Sequence, residues 1–210
     1  MIIAVDGPAA SGKGTVARAL AAHFALPYLD TGLLYRAVGL AVLRDGGDPK
    51  APDDAFAACD FSEAMLHDPQ IRSEAASRTA STVSAHPAVR AALLDRQRAF
   101  AAQAGGAVLD GRDIGPVIAP AAEAKLFVTA SVEARARRRH GELVRGGVHV
   151  ALDHVAADLR ARDARDTGRS SAPLLRAADA DLLDTTAMTI DDAVDRAIAL
   201  VEDRVKARRA

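Results

Sequence analysis

Short apolar runs alternate with longer amphipathic stretches along most of this 210-residue chain. The apolar runs cover residues 1–5, 26–30, 107–110, 125–129 and 181–184. Runs of four to six residues bounded by turn signals are typical of buried strands, and helical stretches between them allow parallel connections. The pattern therefore predicts one α/β domain with a five-stranded parallel central sheet.

The stretches between these runs carry apolar residues at helical spacing. Val16, Leu20 and Phe24 indicate the first helix, and a second begins near Thr31 and ends at residues 46–49. The pattern is weak over residues 50–84 and becomes helical only from Ser73 onward. Further helices are predicted from Pro87 to about Phe100, over 135–145, over 153–166, and from Thr189, where Asp192 completes a capping-box pair.

The first strand is followed by a glycine-bounded loop, residues 7–15, that carries the clearest chemical signal. A strand, this loop and a helix form the pattern of a P-loop, in which backbone N–H groups and a helix N-terminus surround a phosphate. Gly7 and Gly12 permit close backbone approach, and Lys13 supplies charge for the β- and γ-phosphates. Gly14 stands where a hydroxyl usually follows the lysine, and the hydroxyl comes one residue later at Thr15. The alternative is a glycine-rich turn without function.

Two further polar clusters follow predicted strands, at residues 30–36 and 110–115. Ligands of parallel sheets bind at the carboxyl ends of the strands, so both clusters are expected near the P-loop. A third cluster, residues 131–169, contains nine arginines against six acidic residues. Arginine suits phosphate recognition, although a solvated helix face is the usual explanation of such a run.

Composition narrows the function classes. The net charge of −1 gives no global attraction to nucleic acid or membrane, and no apolar run reaches the length of a membrane span. One cysteine, Cys59, and the absence of a secretory pattern predict a cytoplasmic protein. The six histidines are scattered, so neither a Ser–His–Asp triad nor a metal-ligand set is predicted. We expect a monomer.

Six segments of the sequence together resemble the bacterial cytidylate kinases, which are P-loop nucleoside monophosphate kinases. The resemblance covers nearly the whole chain, and its most specific parts are Asp-Gly-Arg-Asp-Ile-Gly at 110–115, His-Pro-Ala-Val-Arg at 86–90 and Arg-Asp-Ala-Arg-Asp at 162–166. The matching segments are residues 5–15, 29–36, 80–90, 96–100, 110–115 and 162–169. The resemblance implies a three-layer α/β/α fold with a monophosphate-binding insert at about 45–85 and a mobile lid at about 135–169.

The resemblance also implies the reaction and the residues that serve it. It implies transfer of the γ-phosphoryl group of ATP to CMP or dCMP with Mg²⁺, and it makes Lys13, Arg112, Arg162 and Arg169 the candidate catalytic residues. Thr15 is the candidate Mg²⁺ ligand, directly or through water. ATP is expected to contact the P-loop and two lid arginines: Gly7, Pro8, Ala9, Ala10, Ser11, Gly12, Lys13, Gly14, Thr15, Arg138 and Arg139.

For the acceptor nucleotide, the resemblance assigns cytosine recognition to Ser81, Arg90 and Asp113. Arg36 and Arg112 are expected to hold its phosphate, and Thr31 is a further substrate residue. Closure over ribose and phosphates is expected from Arg162, Asp166 and Arg169. Cytosine offers an amino donor and ring acceptors, so an acidic side chain and an arginine complement it.

The sequence departs from the family pattern at two places. Thr31 stands where serine is common, and residues 61–72 are fewer than the segment that forms a small sheet in many relatives. The alternatives are a kinase of UMP or of another small molecule, and a GTPase-like switch, for which the Asn-Lys-x-Asp motif is missing. Asp113 could instead act structurally, by orienting Arg112 in an ion pair.

Overall fold

The computed structural model of the protein describes residues 1–209, and a sheet of five parallel strands forms its centre. The strands are β1 (Ile2–Asp6), β2 (Tyr28–Asp30), β3 (Ala107–Gly111), β4 (Ala124–Thr129) and β5 (Asp181–Asp184). Their spatial order is β2-β3-β1-β4-β5, so the P-loop strand β1 occupies the middle. All five strands overlap the predicted apolar runs.

Helices follow or precede each strand. They are α1 (Lys13–His23), α2 (Thr31–Arg44), α3 (Pro52–Ala57), α4 (Glu74–Val83), α5 (Pro87–Ala101), α6 (Val132–Arg145), α7 (Leu152–Gly168) and α8 (Ile190–Arg209). One π-helical turn, Ile114–Ile118, follows β3 and has no signal in the sequence.

The side chains of β1 alternate between two apolar cores. Ile3 and Val5 pack with α1 and α8 on one face, and Ala4 packs with the end of α5 and the π-helical turn on the other. Burial of both faces explains why the central strands β1 and β3 are rich in apolar residues. The predicted three-layer α/β/α arrangement is therefore confirmed.

The boundary of β2 differs from the prediction, which began the strand at Leu26. The Leu26 N–H donates to the Ala21 carbonyl at 2.9 Å, and Ala25 has a left-handed φ of 51°. These residues close the C-terminus of α1 in the way that left-handed caps do, so β2 begins only at Tyr28.

Residues 45–85 form a helical unit. α2 packs against α4 around a separate apolar core, and residues 61–72 consist of two short 3₁₀ turns, Glu63–His67 and Pro69–Arg72. None of these residues, all of which the structure describes, lies in a strand. The short segment 61–72 therefore forms compact turns rather than a small sheet.

Local capping sets several helix starts. Ser73 and Ser131 accept N–H bonds from Ala76 and Ala134, at 3.1 and 3.2 Å, and thereby begin α4 and α6. At α8, the Asp192 N–H donates to the Thr189 hydroxyl, which donates to the Asp192 carboxylate. The predicted capping pair is confirmed.

Candidate active site

The loop between β1 and α1 has the geometry of a phosphate cradle. Gly7 has a φ of 153°, and a Cβ built there would lie 2.0 Å from the Val128 carbonyl oxygen, so only glycine fits. Gly12 has a φ of 89° and precedes the first turn of α1, where unpaired N–H groups favour an anion. Ala10, at φ 59°, adopts the left-handed conformation without being glycine. The predicted strand, loop and helix are observed.

Lys13 lies at the start of α1 and faces the end of β3. Its Nζ is 3.5 Å from Asp110 Oδ2, and its side chain is largely buried. Burial, reinforced by Arg112, lowers the pKa of Lys13 to about 8, while Asp110 acts in the opposite direction. The protein's own groups therefore favour the lysine charge only weakly, and a bound polyanion would strengthen it.

Asp110 is fixed by two residues of the neighbouring β2 region. The Tyr28 hydroxyl donates to its carboxylate at 2.6 Å, and the Thr31 hydroxyl donates to its carbonyl at 2.8 Å. Asp30 pairs with Asp110 in the strand register, so two carboxylates lie side by side at the sheet edge. Burial raises the pKa of Asp110, and Lys13 opposes that rise. Tyr28 was not among the predicted site residues.

The residues around Asp110 fit a magnesium ion. Mg²⁺ usually keeps several waters and takes one or two carboxylates together with substrate phosphates. The Asp110 carboxylate faces the start of α1, 3.8 Å from where a Gly14 side chain would begin, and the exposed Thr15 follows directly. Within residues 1–209, no group of three or more His, Cys, Asp or Glu residues could hold a metal without such phosphates.

The loop after β3 is anchored by hydrogen bonds to the carboxylate of Asp6. Its two carboxylate oxygens accept the N–H groups of Ile114 and Gly115, both at 2.7 Å. Burial raises the pKa of Asp6 to about 7, although these two donors oppose the rise. The bonds anchor the π-helical turn to β1 and so fix the position of Asp113, the residue that precedes it.

Three arginines predicted to act on phosphates meet near α4. Arg36 donates to Ser77 Oγ at 3.2 Å, and Arg162 donates to the same oxygen at 3.3 Å. Arg112 donates to Asp166 at 2.9 Å. Burial and then Arg112 lower the pKa of Arg162 to about 10, and its buried Nε has no hydrogen-bond partner among the described residues. Positive charge exceeds negative charge here, which favours an anion.

A second cluster combines Arg90, Asp113 and Arg169. Arg90 donates to Asp113 Oδ2 at 2.5 Å, and both residues are buried, with 7% and 4% of their surface exposed. An Arg169 nitrogen lies 3.9 Å from Asp113 Oδ1 and has no hydrogen-bond partner within the described chain. A cavity of about 170 Å³ opens beside Arg90 and Asp113 and is bordered by Tyr35.

The alternative in which Asp113 orients Arg112 is wrong. Arg112 pairs with Asp166, whereas Asp113 pairs with Arg90. The physical reason is that Asp113 is turned inward by the loop anchored on Asp6, while Arg112 faces α7.

The predicted lid residues make different contacts. Arg138 donates to the Thr185 carbonyl and hydroxyl, at 2.5 and 3.0 Å, close to the carbonyl of Ser11 in the P-loop. Arg139 pairs with Glu74 of α4 and with Glu142 of its own helix. α7 carries Arg162, which contacts α4 as described. The lid segment thus touches both the P-loop side and the insert.

Ser81 lies in this region, but among the described residues it makes no hydrogen bond to Arg90. Its hydroxyl accepts a bond from Arg165 Nε at 3.3 Å. The sequence prediction missed Arg165, Ser77, Tyr28 and Thr185 as members of the site. Ser77 carried a usable signal, because it precedes Ser81 by one helical turn on the same face of α4.

No helix among residues 1–209 is both long and apolar enough to cross a membrane.

Comparison with protein families identifies relatives of this chain. The model of the cytidylate kinase family matches residues 3–203. A cytidylate kinase of Xanthobacter autotrophicus is 57% identical over 204 residues, which cover 97% of this chain and 98% of the relative. A cytidylate kinase of Rhodospirillum rubrum is 55% identical over 206 residues, covering 96% of this chain and 97% of that protein.

Solved structures support the fold alone. A gluconokinase from Sinorhizobium meliloti superposes with a TM-score of 0.53 at 15% identity, covering 99% of this chain and 94% of the other. An uncharacterized protein from Eubacterium ventriosum gives a TM-score of 0.58 at 16% identity, with 96% and 98% covered.

Proposed function

The chain belongs to the cytidylate kinase family, and on that premise we propose that it transfers the γ-phosphoryl group of ATP to CMP or dCMP. The products are ADP and CDP or dCDP. An oxygen of the acceptor phosphate forms a bond to the γ-phosphorus, and the bond between that phosphorus and the β–γ bridging oxygen breaks. The electron pair of the broken bond leaves with ADP.

The reaction needs no general base from the protein. The second pKa of a phosphate monoester is about 6, so the acceptor is already an anionic nucleophile at neutral pH. The protein must hold two polyanions in line and compensate the developing charge. Lys13 and the three arginines at the sheet edge, Arg36, Arg112 and Arg162, have the positions and charges for this work. Bound Mg²⁺ would supply further charge compensation at the donor phosphates, held by Asp110 and Thr15.

The acceptor phosphate is proposed to bind Arg36, Arg112 and Arg162. Support comes from the shared Ser77 contact of Arg36 and Arg162 and from the unpaired Nε of Arg162. Asp166 pairs directly with Arg112, and neither Arg36 nor Arg162 has a carboxylate partner within salt-bridge distance among the described residues, which leaves charge that a dianion would neutralise. Asp166, with Arg162 and Arg169, is proposed to close over the ribose and phosphates.

The observation that carries the choice of base is the buried Arg90–Asp113 pair beside the cavity. Asp113 Oδ2 accepts from Arg90, which leaves Oδ1, 3.9 Å from an Arg169 nitrogen, to accept the cytosine amino group. Arg90 can donate to the cytosine ring acceptors, and Ser81 is proposed to assist from α4. The cavity of about 170 Å³ has room for a pyrimidine ring.

The donor is proposed to lie along residues 7–15, with its triphosphate at the N-terminus of α1. Arg138 and Arg139 are proposed to cover it as part of a lid spanning 135–169. Arg138 already lies against the carbonyl of Ser11 in this loop, which supports contact with the donor side.

We also propose that the protein acts as a monomer in the cytoplasm. The single cysteine, Cys59, supports a reducing compartment. Light scattering coupled to gel filtration measures the mass directly, and the expected value is that of one chain, 21.8 kDa.

A coupled assay of ADP release tests the function. CMP, dCMP, UMP, AMP and GMP are supplied separately with ATP and Mg²⁺, and kcat/KM is measured for each. Highest values for CMP and dCMP are expected. A preference for UMP would favour the alternative pyrimidine kinase, and ADP release independent of any acceptor would contradict the proposal.

A further inference from the structure

Arg90 is held at the proposed base site by only one hydrogen bond. Among the described residues, its side chain donates to Asp113 Oδ2 alone. A guanidinium group has five N–H donors, so one bond leaves its rotation about that contact unrestrained. A second restraint is needed if Arg90 is to present a fixed edge to a base.

The ring of Tyr35 provides such a restraint. Arg90 Cζ lies 5.5 Å from the centre of the Tyr35 ring, within the range of a cation–π interaction. Tyr35 is 9% exposed, in α2, so water screens the contact little. Tyr35, Arg90 and Asp113 all border the cavity beside the pair. Three elements distant in sequence therefore meet at one side of the proposed base site.

We propose that Tyr35 is a positioning residue for base recognition, whose ring face holds Arg90 in the orientation that the base requires. The inference rests on the proposed function. Because cytosine N3 accepts a hydrogen bond and uracil N3 carries a hydrogen, a correctly oriented arginine favours CMP over UMP. A ring that only fills the insert core, with Leu34 and Val38, would contribute to stability without affecting this choice.

The chain contains a matched control. Arg96 of α5 lies over the ring of Phe61 at 5.0 Å; Phe61 packs in the apolar core around α2 and α4, and neither residue borders the cavity beside Arg90 and Asp113. Replacing Phe61 by leucine removes an arginine–aromatic contact of similar distance without changing a residue of the proposed base site.

The test compares Tyr35→Phe and Tyr35→Leu in the full-length protein, with Phe61→Leu as the control. Loss of the ring is expected to raise KM for CMP about 10-fold, the scale of a partly desolvated cation–π contact. The value of kcat should change little, because the lost contact acts in the ground state and the transition state alike. KM for UMP should change less than KM for CMP, and Tyr35→Phe should resemble the unsubstituted protein.

A second series avoids a folding defect in Tyr35→Leu. Phenylalanine and its mono-, di- and trifluorinated analogues are incorporated at position 35, which weakens the negative ring face while nearly preserving its shape. KM for CMP should rise with each fluorine, and the same analogues at position 61 should have no effect.

Three results would overturn the inference. These are a KM for CMP that is independent of fluorination, equal factors for CMP and UMP, and a loss in Tyr35→Phe as large as in Tyr35→Leu. If the unsubstituted protein phosphorylates CMP and these results are found, only the role of Tyr35 fails. If the unsubstituted protein has no activity on CMP, the proposed function and this inference fail together.

Discussion

Arg90 and Asp113 form a buried ion pair, 2.5 Å between nitrogen and oxygen, although they are 23 residues apart in the chain. Arg90 comes from α5, and Asp113 from the loop that Asp6 anchors on β1. A pair assembled before ligand binds avoids the entropy of ordering both side chains during binding. Its position at the carboxyl edge of the sheet supports a recognition role for the pair.

Replacing Lys13 by alanine is expected to lower kcat by about 100-fold or more while leaving the fold intact. The lysine charge is proposed to act on the transferring phosphoryl group, where one lost electrostatic contact costs this much. Turnover is measured at saturating ATP, with circular dichroism to verify folding. Lys50→Ala removes an exposed lysine of the insert and is the control. Near-normal turnover of the Lys13 variant would argue against the assignment.

The low pKa of Lys13 predicts how activity depends on pH. Burial, with Arg112, lowers this pKa from 10.5 to about 8. The ammonium is then lost above about pH 8, so kcat/KM for ATP should fall there, by about tenfold per unit. In the substrate complex the phosphates stabilise the charge, so kcat should hold to higher pH. A kcat/KM that stays flat to pH 10 is the opposing result.

The same group also affects stability, with a definite sign. Because the folded pKa lies below the unfolded value, the unfolded chain binds this proton more tightly. The contribution of Lys13 to the free energy of unfolding should therefore rise as pH increases from about 8 to 10.5. The pH dependence of urea unfolding, compared between the unsubstituted protein and Lys13→Met, measures this contribution.

Residues 135–169 are expected to open without nucleotide and to close when both substrates bind. The pair between Arg78 of α4 and Asp158 of α7 has both side chains more than half exposed. Exposed ion pairs are worth about 0–1 kcal/mol, so such contacts would not keep a lid closed alone. Amide hydrogen exchange over 135–169 should slow when CMP and a non-hydrolysable ATP analogue are added together. The interior of α8 serves as the reference, and equal exchange in both states would count against a lid.

Substitutions at Ser11 and Thr185 are expected to change the free energy of unfolding in opposite directions. Ser11 is 0% exposed, and its hydroxyl has no hydrogen-bond partner among the described residues. Ser11→Ala should therefore raise the free energy of unfolding by about 1 kcal/mol. The Thr185 hydroxyl lies 2.9 Å from the Ser11 carbonyl and 3.1 Å from the Thr129 carbonyl, either of which can accept its one hydrogen, and it accepts from Arg138. Thr185→Val should lower the same quantity by about 1–3 kcal/mol. Urea denaturation measures both, and a loss of stability in Ser11→Ala would contradict the first.

The sheet could be predicted from the sequence because its strands are short apolar runs; the central strands β1 and β3 are buried on both faces, whereas Leu182 of the edge strand β5 is half exposed. The P-loop could be predicted because its function depends on consecutive residues, among which Gly7 and Gly12 have distinctive backbone conformations. The π-helical turn after β3 could not, because it depends on hydrogen bonds from a distant residue, Asp6, which has no local signature.

The residues of the candidate site were likewise predictable from the sequence only in part. Residues within recognisable segments, such as Asp113 and Arg162, could be proposed, but their partners could not. Tyr28 contacts Asp110 across 82 positions, and Arg165 contacts Ser81 across 84. Such pairs depend on how strands and helices pack, which local patterns do not encode. For this reason Arg112, the sequence neighbour of Asp113, was a reasonable but wrong ion-pair partner to expect for it.

Replacing Asp113 tests the central claim, that this carboxylate reads the cytosine amino group, most directly. Asp113→Asn keeps the shape but places a donor amide where the carboxylate accepted, and Asp113→Ala removes the group. The measurement is the ratio of kcat/KM for CMP to that for UMP in the two variants and in the unsubstituted protein. The ratio is expected to fall by a factor that corresponds to about 2–4 kcal/mol of apparent transition-state binding, the scale of a charged hydrogen bond with its desolvation. A lower activity on both nucleotides with an unchanged ratio would contradict it.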